Sequence, residues 1–273
     1  MDRQPVRRRL DTELVRRGLV PSRARAVDAI RAGRVLVGGA PAATPARQVG
    51  ADEAIRVAAP AREFVSRGGE KLAAALDAFA VTVEGRRALD AGASTGGFTD
   101  CLLQRGVVHV DAVDVGRGQL AWSLRTDPRV TARERVNVRG LTPSDIGGPV
   151  DLAVADLSFI SLLTVAPALA RCTADDADLV LLVKPQFEAG RARVGRGGVV
   201  RDPAVHADVL HRVARGLAEL GLPVVGVMRS PLLGADGNVE FLVHCRKGAV
   251  PVPDAALDAA VGSPDGAHSE TNP

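Results

Sequence analysis

Arg87-Ala-Leu-Asp-Ala-Gly-Ala-Ser-Thr-Gly-Gly-Phe-Thr-Asp100 begins with a short apolar run ending in Asp90. It passes through Gly92, Gly96 and Gly97, then enters a helical run at Leu102 and Leu103. That order reads as strand, tight turn, helix N-terminus. Glycines at such a turn let backbone pass close to a ligand, because no Cβ intervenes. The first N–H groups of the helix point into the same space. The spacing excludes two phosphate-binding loops. Ser94 stands where G-x-G-x-x-G needs its middle glycine, which disfavours a nicotinamide dinucleotide, and no Gly-Lys-Ser/Thr follows, as a P-loop requires. The pattern D-x-G-x-x-x-G-G suits a ligand with an amino acid end and a nucleoside end, such as S-adenosylmethionine. Asp114 closes the next apolar run, Val110-Asp-Ala-Val-Asp114. An acid there can accept ribose hydroxyls.

Outward from this loop, apolar runs near 88–91, 107–113, 150–155, 179–183, 222–228 and 239–245 alternate with helical stretches near 97–105, 118–125, 160–171 and 203–220. The alternation predicts a doubly wound α/β sheet, Rossmann-like, with its chemistry beyond the carboxyl ends of the strands. Asp114, Asp156 and Lys184 stand directly after buried runs, where charge is expensive to place without cause. Glu240 falls inside the last apolar run and needs a partner, which Lys184 or Lys71 can supply. Lys71 itself follows two glycines at a helix start, in Ser66-Arg-Gly-Gly-Glu-Lys-Leu72. The basic, glycine-rich stretch 190–198 reads as a mobile loop able to close over RNA or, equally, as a plain surface loop.

Of 273 residues, 46% are apolar and 3% aromatic, enough for one large domain and one small one. Cys101, Cys172 and Cys245 are widely spaced and odd in number, which predicts reduced thiols in a cytoplasmic protein rather than disulfides or a metal site. The Arg-rich start lacks the apolar core of a secretory signal, and no run approaches membrane-spanning length. Residues 1–62 carry thirteen arginines against six carboxylates, whereas the rest of the chain is mildly acidic. A basic head on an acidic body points to a polyanion-binding module. Only Lys71, Lys184 and Lys247 are lysines among 35 basic residues. Where arginine serves every plain positive charge, the surviving lysines are candidates for work arginine cannot do.

The basic head reads as two short helices, over 10–18 and from Ser22 to Gly33, followed by strands at 35–37 and 55–57 around a Gly38-Gly39 turn. Leu10, Leu14 and Val15 are expected on one apolar face. The words R-R-L-D-T-E-L-V-R-R-G-L, S-R-A-R-A and R-A-G-R-V-L-V-G-G resemble the S4 RNA-binding module, over roughly residues 7–58. By that resemblance Arg8, Arg9, Arg17 and Arg23 are the expected phosphate contacts, which position RNA without reading bases. The domain reading is 1–59 for this module, 60–65 for a linker, 66–247 for the catalytic domain, and 248–273 for a disordered tail rich in Pro, Asp and Ala.

The combination S-R-G-G-E-K-L, L-D-A-G-A-S-T-G-G-F-T, D-V-G-R-G-Q-L, A-D-L-S-F-I-S-L, L-V-K-P-Q-F-E and G-N-V-E-F resembles the TlyA family, over about residues 7–246. Members of that family carry a catalytic domain similar to the FtsJ/RrmJ class and methylate ribose 2′-hydroxyls of ribosomal RNA. The resemblance places the family's Lys-Asp-Lys-Glu tetrad on Lys71, Asp156, Lys184 and Glu240. It places S-adenosylmethionine contacts on Asp90, Gly92, Ala93, Ser94, Gly97, Phe98 and Asp114, with Asn137 expected near the adenine. Where some members have R-x-W-V, this chain has Arg62-Glu-Phe-Val65. The resemblance further implies ribosomal RNA, or the ribosomal subunits, as partner, a cytidine as target, no metal and no membrane; oligomeric state stays open. Lys184 is the expected contact for the attacking hydroxyl, taking its proton or stabilising the forming alkoxide. Two other readings are weighed against this one. A pseudouridine synthase shares the head module but needs neither glycine loop nor lysine pair. A membrane-lytic protein, as the family's older haemolysin name suggests, calls for a basic amphipathic helix that the sequence lacks.

Overall fold

A computed structural model describes residues 7–58 and 63–262. The chain divides into two compact units, Met1–Arg62 and Glu63–Pro273.

In the first unit, β1 (Arg8–Arg9) leads into α1 (Leu10–Arg16) and α2 (Arg23–Arg31). Ser22 caps α2 by accepting from the Arg25 N–H, and Gly33 follows the helix at φ 68°. Next come β2 (Val35–Val37), β3 (Ala40–Pro41), β4 (Gln48–Val49) and β5 (Ile55–Val57); β4 pairs with β1, and β3-β2-β5 form an antiparallel sheet. Leu10, Leu14, Ala26, Ile30, Val35 and Val37 make the core. Val15, expected on the buried face, is exposed.

In the second unit the elements are α3 (Gly68–Ala78), β6 (Arg87–Ala91), α4 (Gly97–Gln104), β7 (His109–Asp114), α5 (Trp122–Arg125), β8 (Val130–Glu134), β9 (Val150–Ala155), α6 (Leu162–Cys172), β10 (Thr173–Val183), α7 (Pro185–Glu188), α8 (Pro203–Glu219), β11 (Val224–Arg229), β12 (Phe241–Arg246) and α9 (Asp254–Gly262). Seven strands form one sheet in the order β11-β12-β10-β9-β6-β7-β8. β8 through β10 run parallel, and β12 is antiparallel to both of its neighbours.

Alternation along each strand sends side chains to two cores. Leu89 and Ala91 of β6, and Leu179, Leu181 and Val183 of β10, pack on the side of α6, α8 and α9. Ala88, Val180 and Leu182 face α3 and α4. Helices thus cover both sheet faces, the doubly wound arrangement that the strand–helix alternation predicts. β8 was not anticipated: it is a short polar edge strand, largely half-buried, without the apolar run that marks a central strand.

Two boundaries differ from expectation. Residue 59 of the head module and residues 60–62 of the linker lie outside the described residues. Phe64 and Val65 belong to the second unit: Phe64 is buried, and the Val65 N–H donates to Asp100 Oδ2 at 2.7 Å. A Cβ on Gly69 would fall 2.2 Å from Phe64 Cγ, so the first turn of α3 rests directly on this ring. The expected disorder from residue 248 is corrected as far as Gly262. Leu257 and Ala260, three apart on α9, are buried against the core, and His211 of α8 lies 2.8 Å from Asp258 Oδ1. A tail poor in large side chains shows only a weak helical pattern in sequence, yet two small apolar residues suffice to dock it. Residues 263–273 lie outside the described residues.

The third lysine is structural. Lys247 Nζ donates to the Thr173 carbonyl at 2.7 Å, at the end of β10 opposite Lys184. Lys247→Arg is expected to alter stability by no more than ~0.5 kcal/mol, measured by urea unfolding.

Candidate active site

Strand register assembles the site. Ala155 of β9 is level with Leu181 of β10, and Val183 of β10 pairs with Phe241 of β12. Three residues beyond the first pair Lys184 comes level with Ser158, and one residue beyond the second it lies opposite Glu240. Glu240 lies just before β12, not inside it.

Lys184 is the residue before α7, whose first position is Pro185; proline there fixes the turn that aims Lys184 out of the sheet. Its Nζ lies 2.6 Å from Asp156 Oδ1 and donates to Ser158 Oγ at 3.0 Å. The lysine approaches Oδ1 off the hydrogen-bonding directions, so this buried oxygen keeps no directed donor. Lys71 Nζ meets Glu240 Oε2 at 2.5 Å, and both residues are buried, at 7% and 2% exposure. Lys71 sits in the first turn of α3, where the helix dipole disfavours a cation, and Glu240 offsets that. Gly234 makes room for the carboxylate: a Cβ there would lie 2.1 Å from Glu240 Oε1. The four tetrad positions therefore form two ion pairs at the edge formed by the ends of β9 and β10 and the start of β12.

Beside them a cavity of about 170 Å³ is walled by Gly92, Ala93, Ser94, Gly97 and Phe98 of the glycine loop, by Ser66 and Gly68, and by Asp156, Ser158 and Lys184. Gly92 has φ 87°, and a Cβ there would lie 2.7 Å from the Asp156 carbonyl oxygen. A Cβ on Gly97 would lie 2.2 Å from Ser66 Oγ. Ser66 and Ser158 were not singled out in the sequence, although both lie inside quoted motifs; a serine between stronger signals gives no periodic or charge cue of its own.

Asp90 is fully buried behind the loop. Its Oδ2 accepts from Thr99 Oγ1 at 2.7 Å, and its Oδ1 has no hydrogen-bond partner among the described residues. Burial pushes this carboxyl up to about 7, and the nearby carboxylates of Asp156 and Asp114 push the same way. Asp156 on the cavity wall, Asp90 behind its loop and Asp114 in the neighbouring recess put three carboxylates on this side of the sheet, and the oxygens of Asp90 and Asp156 that lack a hydrogen-bond donor among the described residues favour a cationic ligand. The ammonium and sulfonium of S-adenosylmethionine match that donor set, and the glycine cradle gives its chain room. Asp114 Oδ2 accepts the Ser94 N–H at 2.8 Å, and Oδ1 accepts the Gly116 N–H at 2.7 Å. It lines a narrow recess with Gln119, Leu120 and Glu134.

The sign of a pH effect follows from Asp90. A carboxyl held above its unfolded value, about 4, binds its proton more tightly in the fold. It therefore lowers stability progressively as pH rises from about 4 to about 7, with a constant penalty above. Asp90→Asn is expected to flatten the melting temperature over that range while weakening S-adenosylmethionine binding. Scanning calorimetry from about pH 5 to 8 checks the first part, titration calorimetry the second; an unchanged pH slope in the variant would refute the assignment.

Not every predicted residue joins the site. Asn137 is exposed; its Oδ1 accepts the Arg139 N–H, capping the turn Val138–Gly140, and it lines an open concavity with Ala132 and Glu134, two residues that also line the Asp114 recess. Among the head arginines, Arg8 is exposed. Arg9 and Arg23 both pair with buried Asp11, at 2.9 and 3.0 Å, while remaining open to solvent. Arg17 is committed: it binds Glu13 at 2.7 Å and the carbonyls of Glu53, Gly50 and Ala51. Its guanidinium fastens the fold of the head. Conversely, Phe159 was missed. It is 91% exposed with φ 63°, and its ring lies 5.1 Å from that of Phe187. Both rings line an open concavity next to Lys184, together with Gln186, whose buried Oε1 lacks a partner.

Residues 64–247 match the FtsJ-like methyltransferase family, and residues 8–55 match the S4 domain. The chain is 57% identical, over 96% of both proteins, to the 16S/23S rRNA (cytidine-2′-O)-methyltransferase TlyA of Mycobacterium tuberculosis. It is 38% identical to hemolysin A of Brachyspira hyodysenteriae, over 86% of this chain and 98% of that one. A solved structure described as a hemolysin from Streptococcus thermophilus superposes with a TM-score of 0.72 at 39% identity, covering 95% of each chain. An S4 head, an FtsJ-like catalytic unit and identity along nearly the whole length give one conclusion: the chain belongs to the TlyA family of S-adenosylmethionine-dependent methyltransferases.

Proposed function

We propose that this protein transfers a methyl group from S-adenosylmethionine to the 2′-hydroxyl of a cytidine in ribosomal RNA, working in the cytoplasm on ribosomal subunits. The observation that carries the reading is the Lys184–Asp156 ion pair, 2.6 Å long, on the wall of the cavity beside the glycine loop. Identity to a relative that bears this activity in its name supports it.

Bound S-adenosylmethionine supplies an electrophilic methyl on a sulfonium. The protein orients the oxygen that attacks it and removes that oxygen's proton. A ribose hydroxyl is a poor nucleophile at neutral pH, so the oxygen needs a directed partner. Lys184 Nζ serves, fixed by Asp156 and Ser158. In the transfer the hydroxyl proton would pass to the Lys184 amine as that group hands a proton of its own to the Asp156 carboxylate, so that the proton ends on Asp156. Lys71 and Glu240 hold the edge of the site rigid, and orientation supplies on the order of several kcal/mol of the barrier reduction. Asp90, Asp114 and the loop 92–98 hold the cofactor. Arg8, Arg9 and Arg23 hold RNA phosphates.

The haemolysin name of some relatives has no membrane-spanning counterpart here: among the described residues no helix is long and apolar enough to cross a membrane. The test is to incubate the purified chain with ribosomal subunits lacking 2′-O-methyl marks and to map the marks. Cytidine-specific marks that require S-adenosylmethionine are expected; unmarked RNA alongside intact cofactor binding would refute the assignment.

A further inference from the structure

The chain has seven aromatic residues in all, six Phe and one Trp. Large aromatic side chains normally bury most of their area. Trp122 is nevertheless 76% exposed. It opens α5, directly after Ala121, whose N–H donates to the carbonyl of Thr95 on the cavity wall at 3.1 Å. The underside of this segment is anchored, since Leu120 and Leu124 press on Gly96 of the glycine loop. The indole is therefore held on the rim of the site by packing beneath it and is itself left bare.

The surroundings are basic in a unit that is otherwise acidic. Residues 115–139 carry six arginines and two carboxylates. Arg125 lies three residues along α5 from Trp122, on the same side of the helix. It pairs with Glu134, which also accepts the Gly118 N–H. The Arg135 N–H donates to the Gly116 carbonyl at 3.1 Å, with Arg135 at φ 59°. This brings Arg117 and Arg135 to the same end of β7 and β8. Both are exposed, and among the described residues no carboxylate pairs with either.

A flat, bare π-surface beside exposed guanidinium groups matches unpaired RNA, whose bases stack on aromatic rings while arginines meet its phosphates. We propose that Trp122 is a stacking platform for an unpaired base of the RNA substrate flanking the methylated nucleotide, with Arg117 and Arg135 on the adjoining backbone. The proposal rests on the ribosomal RNA reading above.

The chain contains one Trp and no Tyr, so intrinsic emission excited in the red edge of the indole band reports this residue alone. The full chain, saturated with S-adenosylhomocysteine, is titrated with a single-stranded RNA oligonucleotide. Binding is followed separately by anisotropy of a labelled copy of the RNA. Indole quenching that tracks the anisotropy isotherm is expected. Trp122→Ala should weaken RNA binding roughly tenfold, and Trp122→Phe should restore most of it. RNA binding without an emission change, or with wild-type affinity in Trp122→Ala, overturns the proposal and leaves the methyltransferase reading standing. So does emission that changes with protein concentration alone, which would assign the surface to a second copy of the chain. Failure of RNA to bind at all overturns both.

Discussion

Lys184→Ala is expected to lower methyl transfer by at least ~10²-fold, the usual scale for losing a positioned acid–base group, with cofactor and RNA affinities held close to wild type. Lys184 stands beyond the end of β10, but its side chain is 11% exposed and paired with Asp156, so the unfolding free energy of the variant is measured beside its activity. The sharper variant is Lys184→Arg. Only three of 35 basic residues in this chain are not arginine, so a plain cation at this position would already be expected to be one. The substituted guanidinium would keep the charge and an ion pair with Asp156. However, it spreads that charge over a rigid plane and does not exchange its proton near neutral pH. If lysine is needed for its compact, proton-exchanging amine, Lys184→Arg should be nearly as inactive as Lys184→Ala. Single-turnover transfer from labelled S-adenosylmethionine, beside titration calorimetry of the cofactor, makes the comparison. Wild-type turnover in the arginine variant would reduce Lys184 to a source of positive field.

The parts of this molecule legible in sequence are those where one physical signal dominates. The central strands are apolar runs because both sheet faces are covered, and the glycine loop is read from close approaches that exclude a Cβ at Gly92 and Gly97. Asp156 and Lys184 stood out because charge after a buried run is costly, and the lysines because lysine is rare here; their grouping with Glu240 as a tetrad rested on the resemblance to the TlyA family. Which acid serves which lysine was not legible. Glu240 could have faced Lys184 or Lys71, and the choice depends on register between β10 and β12 and on the space left at Gly234. Arg17, Asn137 and the tail were read from residue type, which does not show their local partners: buried Glu13, the Arg139 N–H, and the core that takes Leu257. Exposure of Phe159 and Trp122 was likewise invisible, since sequence alone favours burying an aromatic.

The second large effect separates scaffold from chemistry at the Lys71–Glu240 pair. Both groups are almost wholly buried, and their 2.5 Å contact replaces the water each has lost. Lys71→Met leaves the Glu240 carboxylate uncompensated, and Glu240→Gln does the same to the Lys71 ammonium. Each single change is expected to cost about 3–5 kcal/mol in unfolding free energy. The double variant Lys71→Met/Glu240→Gln removes both charges while keeping the shapes that fill the space at Gly234. Much of the lost stability should therefore return, and the coupling energy read from the four proteins should be large and favourable. Activity is predicted to part company with stability. Because the pair sets the charge and rigidity of the edge next to Lys184, the refolded double variant should remain far below wild-type turnover. Urea unfolding and single-turnover transfer on the same four proteins give both answers. Additive single-variant losses would mean the pair does not act as a unit, and turnover restored together with stability would make it a structural brace with no part in methyl transfer.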